Sequence, residues 1–146
     1  MHQQSLSDRQ AEKLELWRHQ AHSDPLTGLP NRRFFMATLD AFLASDAAPT
    51  LFGLLLLRLR NLQGMNQRIG HAATDNVLQA LGQTLQSYLR RIDRCCAGRL
   101  NGAAFVLLLP VGGMATETAE SLIRALRLPL ASIDPAASVA AGAVEL

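Results

Sequence analysis

Aromatic side chains are scarce in this 146-residue chain: phenylalanine, tryptophan and tyrosine make up 5% of it, with one tryptophan and one tyrosine. A formal net charge of only +2 adds little electrostatic pull. The two together argue against nucleic acid or a membrane surface as a partner, since neither a basic face nor interleaved aromatics are present. Cysteine is as rare. Cys95 and Cys96 are adjacent, which is poor geometry for an intrachain disulfide and lacks metal-ligand spacing, so a reducing compartment fits. The apolar runs at 51–57 and 105–109 are far shorter than the ~20 residues of a membrane helix, and no charged-then-apolar leader opens the chain. The expectation is a soluble, cytoplasmic chain.

What is present is ordinary globular material: 49% hydrophobic and 18% charged residues, in a length that suits one domain of about 100–200 residues. Residues 5–22 are rich in helix formers, with Leu14, Trp17 and Ala21 at steps of three and four. That stripe reads either as a short coiled-coil segment or as packing onto the domain. The prolines and glycine of "SDPLTGLPNRR" break this helix before another from about Arg32 to Ala44. "TLFGLLLLRLR", 50–60, reads as a buried strand, 75–91 as an amphipathic helix, "AAFVLLLP" as a second strand, 116–126 as a helix and 137–144 as a last strand. The alternation predicts a sheet covered by helices. Asn101-Gly102 predicts a tight hairpin turn, both residues tolerating positive φ. The arginines from Arg90 to Arg99 read as a solvated helix end.

Three stretches resemble one family. "DPLTGLPNRRFF", 24–35, resembles the D-x-L-T-G-L-x-N-R-R-x-F signature of GGDEF domains, the bacterial diguanylate cyclases that join two GTP molecules into cyclic di-GMP. "MNQRIGHAATD", 65–75, resembles the family's N-D-x-x-G-H-x-x-G-D segment, and "RLNGAAFVLLLP", 99–110, stands where R-x-G-G-D-E-F-x-x-L-L-P is found. The resemblance implies an α/β fold, an α+β sandwich with a nucleotide-cyclase-like central sheet covered by helices. It divides the chain into a signalling or linker helix, 1–22, and a GGDEF domain, 23–146. In the signature loop, Asp24, Leu26, Thr27, Gly28, Leu29, Asn31, Arg32 and Arg33 match and are expected to act structurally.

The resemblance also fixes where this chain departs. Asn101, Gly102, Ala103, Ala104 and Phe105 occupy the G-G-D-E-F positions, so two methyl groups replace the acidic pair. Arg58 takes the place of the metal-binding aspartate at the strand end, and Arg60 that of the second acidic position. Magnesium needs hard oxygen ligands, and a guanidinium stays protonated at any physiological pH. The expectation is therefore a domain that is no enzyme, with no cofactor and no metal. Asn66 and Asp75 match the family's guanine-reading pair. Alternatively Asp75 caps the helix that begins there and Asn66 bonds backbone. Arg90 and Asp93 resemble the inhibitory R-x-x-D box, two residues too far from the loop.

These departures are similar to those of LapD-like GGDEF-EAL receptors of cyclic di-GMP. That similarity implies a regulatory and interaction module whose partners are an EAL domain, a HAMP or other sensor segment and a second copy of the chain, in a parent anchored at the inner membrane. The other readings are a GTP-binding sensor or residual cyclase, and a dimerisation unit. The family's A-D-x-A-L-Y-x-A-K helix is not found after the last strand, which predicts exposed apolar surface there.

Overall fold

The computed structural model describes residues 6–45, 51–92 and 94–146, with side chains over the same ranges apart from residues 6, 7 and 15–20. The elements are α1 (Leu6–His22), α2 (Arg32–Ala44), β1 (Gly53–Leu59), α3 (Leu62–Arg91), β2 (Cys96–Arg99), β3 (Ala104–Leu109), α4 (Ala115–Ala131) and β4 (Val139–Glu145). The strands form one sheet in the order β2-β3-β1-β4, with every neighbouring pair antiparallel. The α/β class expected from the sequence is the class observed.

Alternation along β1 divides the sheet into two faces. Leu55, Leu57 and Leu59 are buried in one core with Val77, Leu78, Leu81 and Leu85 of α3 and Leu122, Leu126 and Leu130 of α4. Each such leucine contributes about 1.5–3 kcal/mol by leaving water. On the opposite face, Phe35 of α2 packs on Val106 and Leu108 of β3, with Leu39, Phe42 and Leu54 at its margin. Strand β3 is buried at all six positions because it lies between these two cores. Apolar side chains stay exposed towards the β4 edge, where Leu56 is 46% and Val144 52% accessible.

Four local expectations need correction. Strand β2 is absent from the sequence reading, because "CAGR" is too short and too small-residued to give a period. The helix expected at 75–91 begins at Leu62 and is interrupted at Gly70, whose φ of 85° leaves the helical region. Glycine adopts that angle without a Cβ penalty, and Thr74 Oγ1 donates to the Gly70 carbonyl at 2.9 Å to restart the helix. Helix α4 runs past the expected Leu126 through Pro129 to Ala131. Leu126 and Leu130, one turn apart and both buried, hold that last turn in place.

The hairpin is the fourth. Among the described residues, positive φ occurs at Asn61, Arg94, Gly28, Gly70 and Gly113, and not at Asn101 or Gly102. The connection spans 100–103, and the Asn101 side chain, rather than a left-handed backbone, turns the chain. The stripe on α1 also reads differently. Leu14 is 52% accessible and Ala21 is exposed, so neither packs onto the domain, and the side chain of Trp17 lies outside those described.

Candidate functional site

The loop between α1 and α2 is wound around one carboxylate. Asp24 Oδ2 accepts from the Thr27 amide at 2.9 Å and from the Thr27 hydroxyl at 2.7 Å, while the Gly28 amide donates to the Asp24 carbonyl at 2.8 Å. Gly28 has a φ of 74°, and Leu29 beside it is 1% accessible. Thr27 in turn lies against α3 at Gly82, where an added Cβ would stand 2.8 Å from the Thr27 Cβ. Leu26 is half-buried, and Arg32 and Arg33 are exposed at the start of α2.

Asn31 joins both flanking helices. Its Oδ1 accepts from the Phe34 amide at 2.9 Å and caps α2, its Nδ2 donates to the Ala21 carbonyl at 2.7 Å, and its amide donates to the His22 carbonyl at 2.8 Å. His22 and Phe34 stack with ring centroids 4.6 Å apart.

Arg99 carries this arrangement into the hairpin. Its amide donates to the Pro30 carbonyl at 2.9 Å. Nη1 of its guanidinium donates to both oxygens of Asp24 at 3.0 Å, Nη2 to the Gly102 carbonyl at 2.9 Å, and Nε to the Asn101 carbonyl at 3.2 Å. Burial raises the Asp24 carboxyl, but the hydrogen bonds from Thr27 and the Arg99 guanidinium outweigh it and hold the group below its ordinary value. Arg99 is thus no part of a solvated helix end. Its signal in the sequence was its place two residues before Asn101, in "RLNGAAF", and its classification with the preceding arginines concealed it.

The 100–103 loop closes on itself. Asn101 Oδ1 accepts from the amides of both Ala103 and Ala104 at 3.0 Å, so these two donors already have a partner. Ala104 stands directly across from Arg58 in the β1–β3 register, and Ala140 of β4 lies on the other side of Arg58. Arg58 and Arg60 are both exposed at the end of β1. Phe105 is fully buried and anchors the loop to the core. Magnesium, which the resemblance implies for phosphoryl transfer, takes oxygen ligands. The side chains at the matching positions offer two guanidiniums and two methyl groups, and these residues do not fit a divalent cation.

Asn66 and Asp75 lie on α3 on either side of the Gly70 break. Asp75 sits inside the helix and caps nothing, which corrects one expectation. Neither side chain forms a hydrogen bond or ion pair among the described residues, so the backbone bond expected of Asn66 is not made. Arg90 is in the last turn of α3, and Asp93 lies outside the described residues. Elsewhere Arg68 Nη2 donates to Asp134 Oδ2 at 2.7 Å and fastens α3 to the connection before β4. Among the described residues no helix is long and apolar enough to cross a membrane.

Comparison with known proteins places this geometry. Residues 21–144 match the family model described as "Diguanylate cyclase, GGDEF domain". Diguanylate cyclase TpbB of Pseudomonas aeruginosa is 38% identical over 117 residues, 77% of this chain and 26% of TpbB's own length. The coiled coil and GGDEF domain of DgcB from Caulobacter crescentus, in complex with c-di-GMP, superposes with a TM-score of 0.80 at 26% identity, covering 96% of this chain and 77% of that one. The S helix-GGDEF-EAL structure of LapD from Vibrio cholerae, bound to c-di-GMP, shares the fold with a TM-score of 0.70 at 20% identity, covering 92% of this chain and 32% of that one.

One expectation falls here. Ala103, Ala104 and Arg58 led to a domain that is no enzyme, whereas relatives at this level of identity are named diguanylate cyclases. The comparison points to an enzymatic family. The substitutions change the side chains at a few positions of a chain that matches the family over residues 21–144.

Proposed function

The chain belongs to the GGDEF domain family of cyclic di-GMP signalling, and from that premise we propose that it is a regulatory and interaction module, taking a signal at α1 and delivering it to the 100–103 loop. One observation carries this reading: hydrogen bonds tie the Ala21 and His22 carbonyls to Asn31, and the adjacent Pro30, together with Asp24, is tied through Arg99 to the Asn101 and Gly102 carbonyls. In this reading a twist at the end of α1 reaches the loop through Asn31 and Arg99. The fold shared with LapD supports a parent polypeptide that carries an EAL domain and a HAMP or other sensor segment, and the exposed Leu14 supports pairing of α1 with a second copy.

The test uses the full-length parent. Cells producing the wild type and cells producing Arg99→Gln at equal levels are compared for cyclic di-GMP content. The reading predicts different contents; equal contents from two folded proteins contradict it.

A second reading, a GTP-binding sensor, is favoured by the side chains of Asn66 and Asp75, which have no hydrogen-bond or ion-pair partner among the described residues. A carboxylate can accept from the N1 and N2 hydrogens of guanine. Calorimetric titration with GTP, repeated on Asp75→Asn, tests it: binding lost in the variant supports guanine recognition, and equal binding refutes it.

A further inference from the structure

The sheet has two edges, and the described residues close one of them. At β2 the Arg99 amide donates to the Pro30 carbonyl at 2.9 Å and Asn31 bridges to Arg99, so residues 30 and 31 cover that side. Strand β4 forms the other edge. The Arg60 amide donates to the Ser138 carbonyl at 2.9 Å, and Phe52 and Leu146 exchange bonds of 3.0 and 2.8 Å. Bonded positions alternate along an antiparallel pair, so Ala140, Gly142 and Val144 also turn to β1, and the amides and carbonyls of Val139, Ala141 and Ala143 point out of the sheet. Among the described residues none of these outward groups has a hydrogen-bond partner.

Sheet edges are ordinarily guarded by a charge, a proline or a bulge. Residues 139–144 contain no charged residue and no proline, and the register with β1 runs without a bulge from Gly53 opposite Glu145 to Leu59 opposite Val139. Helix α4 forms a wall beside this edge. Between the two lies a hollow of about 250 Å³, lined by Ile123, Leu126, Arg127 and Leu130 of α4 and by Ala137 and Val139 on the strand side. No carboxylate lines it. Arg127 forms no ion pair among the described residues, whereas Arg68 and Arg99 each hold an aspartate.

We propose that the β4 edge and the α4 hollow dock an extended peptide segment of a partner protein, added to the sheet as a further strand, that carries an apolar residue and, two positions away, an acidic one. Residues directly opposite each other across a strand pair share a face. The residues of the segment that bond to Val139 and Ala141 therefore turn their side chains toward α4, as Val139 and Ala141 themselves do in packing on the core beneath it. Side chains two positions apart on a strand are separated by about 6.6–6.8 Å, which puts one in the hollow and the next beside the Arg127 guanidinium. Main-chain bonds supply the affinity, and the hollow and the cation select the side chains. The docking uses neither α1 nor the 100–103 loop and stands whether or not those two communicate.

The chain is titrated into a fluorescein-labelled peptide of sequence TVTLTDT, with fluorescence anisotropy as the readout. The expected result is saturable binding. Arg127→Glu, lysine in place of the peptide's aspartate, and N-methylation of the peptide's leucine, which removes a main-chain donor, are each expected to weaken it by about tenfold or more. Ala141→Pro removes an outward amide at an edge, where a strand tolerates proline, and is expected to abolish binding with the melting temperature unchanged. Should that variant melt early, the N-methylated peptide makes the same test on an unaltered chain. Arg9→Glu, the same charge reversal on α1, is expected to keep wild-type affinity. No saturation up to about 1 mM peptide, equal affinity for the N-methylated peptide, or equal losses in Arg127→Glu and Arg9→Glu overturns the proposal. Sedimentation of the peptide-free chain supplies the last outcome: a wild-type dimer that Ala141→Pro splits and that takes up no peptide assigns the edge to a second copy and overturns the docking of a partner.

Discussion

Asp24 and Arg99, separated by 75 residues of sequence, meet in an ion pair in which one guanidinium nitrogen donates to both carboxylate oxygens at 3.0 Å. Each side chain is only 15% accessible. The pair joins the turn after α1 to the hairpin between β2 and β3, and the remaining donors of Arg99 hold the hairpin's carbonyls. Because it is partly buried and completed by Thr27, removing one partner strands the other. Asp24→Ala is expected to cost about 2–3 kcal/mol, measured as the loss of unfolding free energy in urea.

The same carboxyl sets an acid dependence. Its pKa in the folded chain lies below the ordinary 3.8, so the unfolded chain binds the proton more readily. The stability it contributes is fully present above about 3.8 and is lost as the pH falls through the lower, folded value. Asp134 acts in the same direction, through its hydrogen bond from Arg68. Urea unfolding of the wild type and Asp24→Asn over a pH series is expected to show a stability gap that is constant near neutrality and narrows below pH ~4. A gap independent of pH contradicts this assignment.

Burial pushes the thiol of Cys95 up to about 12 and that of Cys96 to about 11. The thiolate is the reactive form, so both cysteines should resist alkylation near neutral pH in the native chain. Iodoacetamide labelling followed by mass spectrometry is expected to leave them unmodified, and to modify both after denaturation. Prompt labelling of the folded chain contradicts the placement.

Gly82 lets α3 approach the signature loop, and an added Cβ would meet the Thr27 Cβ at 2.8 Å. Gly82→Ala is expected to destabilise the chain by about 1–3 kcal/mol through overpacking, even though alanine is the better helix former. A rise in melting temperature would show that the loop yields without cost.

The sequence made the framework legible because its signals were local and periodic. The leucines of 53–59, the apolar stripe of α3 and the prolines around the signature loop mark their elements directly. What it hid depended on partners distant along the chain. Strand β2 has no period of its own and is defined by pairing with β3. Asn101-Gly102 looked like a left-handed turn, yet the Asn101 side chain supplies the turn instead. Asp75 looked like a cap because the helix was expected to start there, whereas it starts at Leu62 and breaks at Gly70. Arg99 was hidden among neighbouring arginines, since nothing in sequence tells a paired cation from a solvated one. The donors at 58, 60, 103 and 104 were legible as residue types, and whether the chain is an enzyme was not.

The link from α1 to the loop is tested most directly by amide hydrogen exchange in Arg99→Lys, which keeps the charge and removes the fork that reaches Asp24, Asn101 and Gly102 together. The account predicts faster exchange at Ala103 and Ala104 and unchanged exchange at Leu57 and Leu107 in the sheet core. Unchanged exchange at the loop, in a variant that has lost the Asp24 contact, would contradict it.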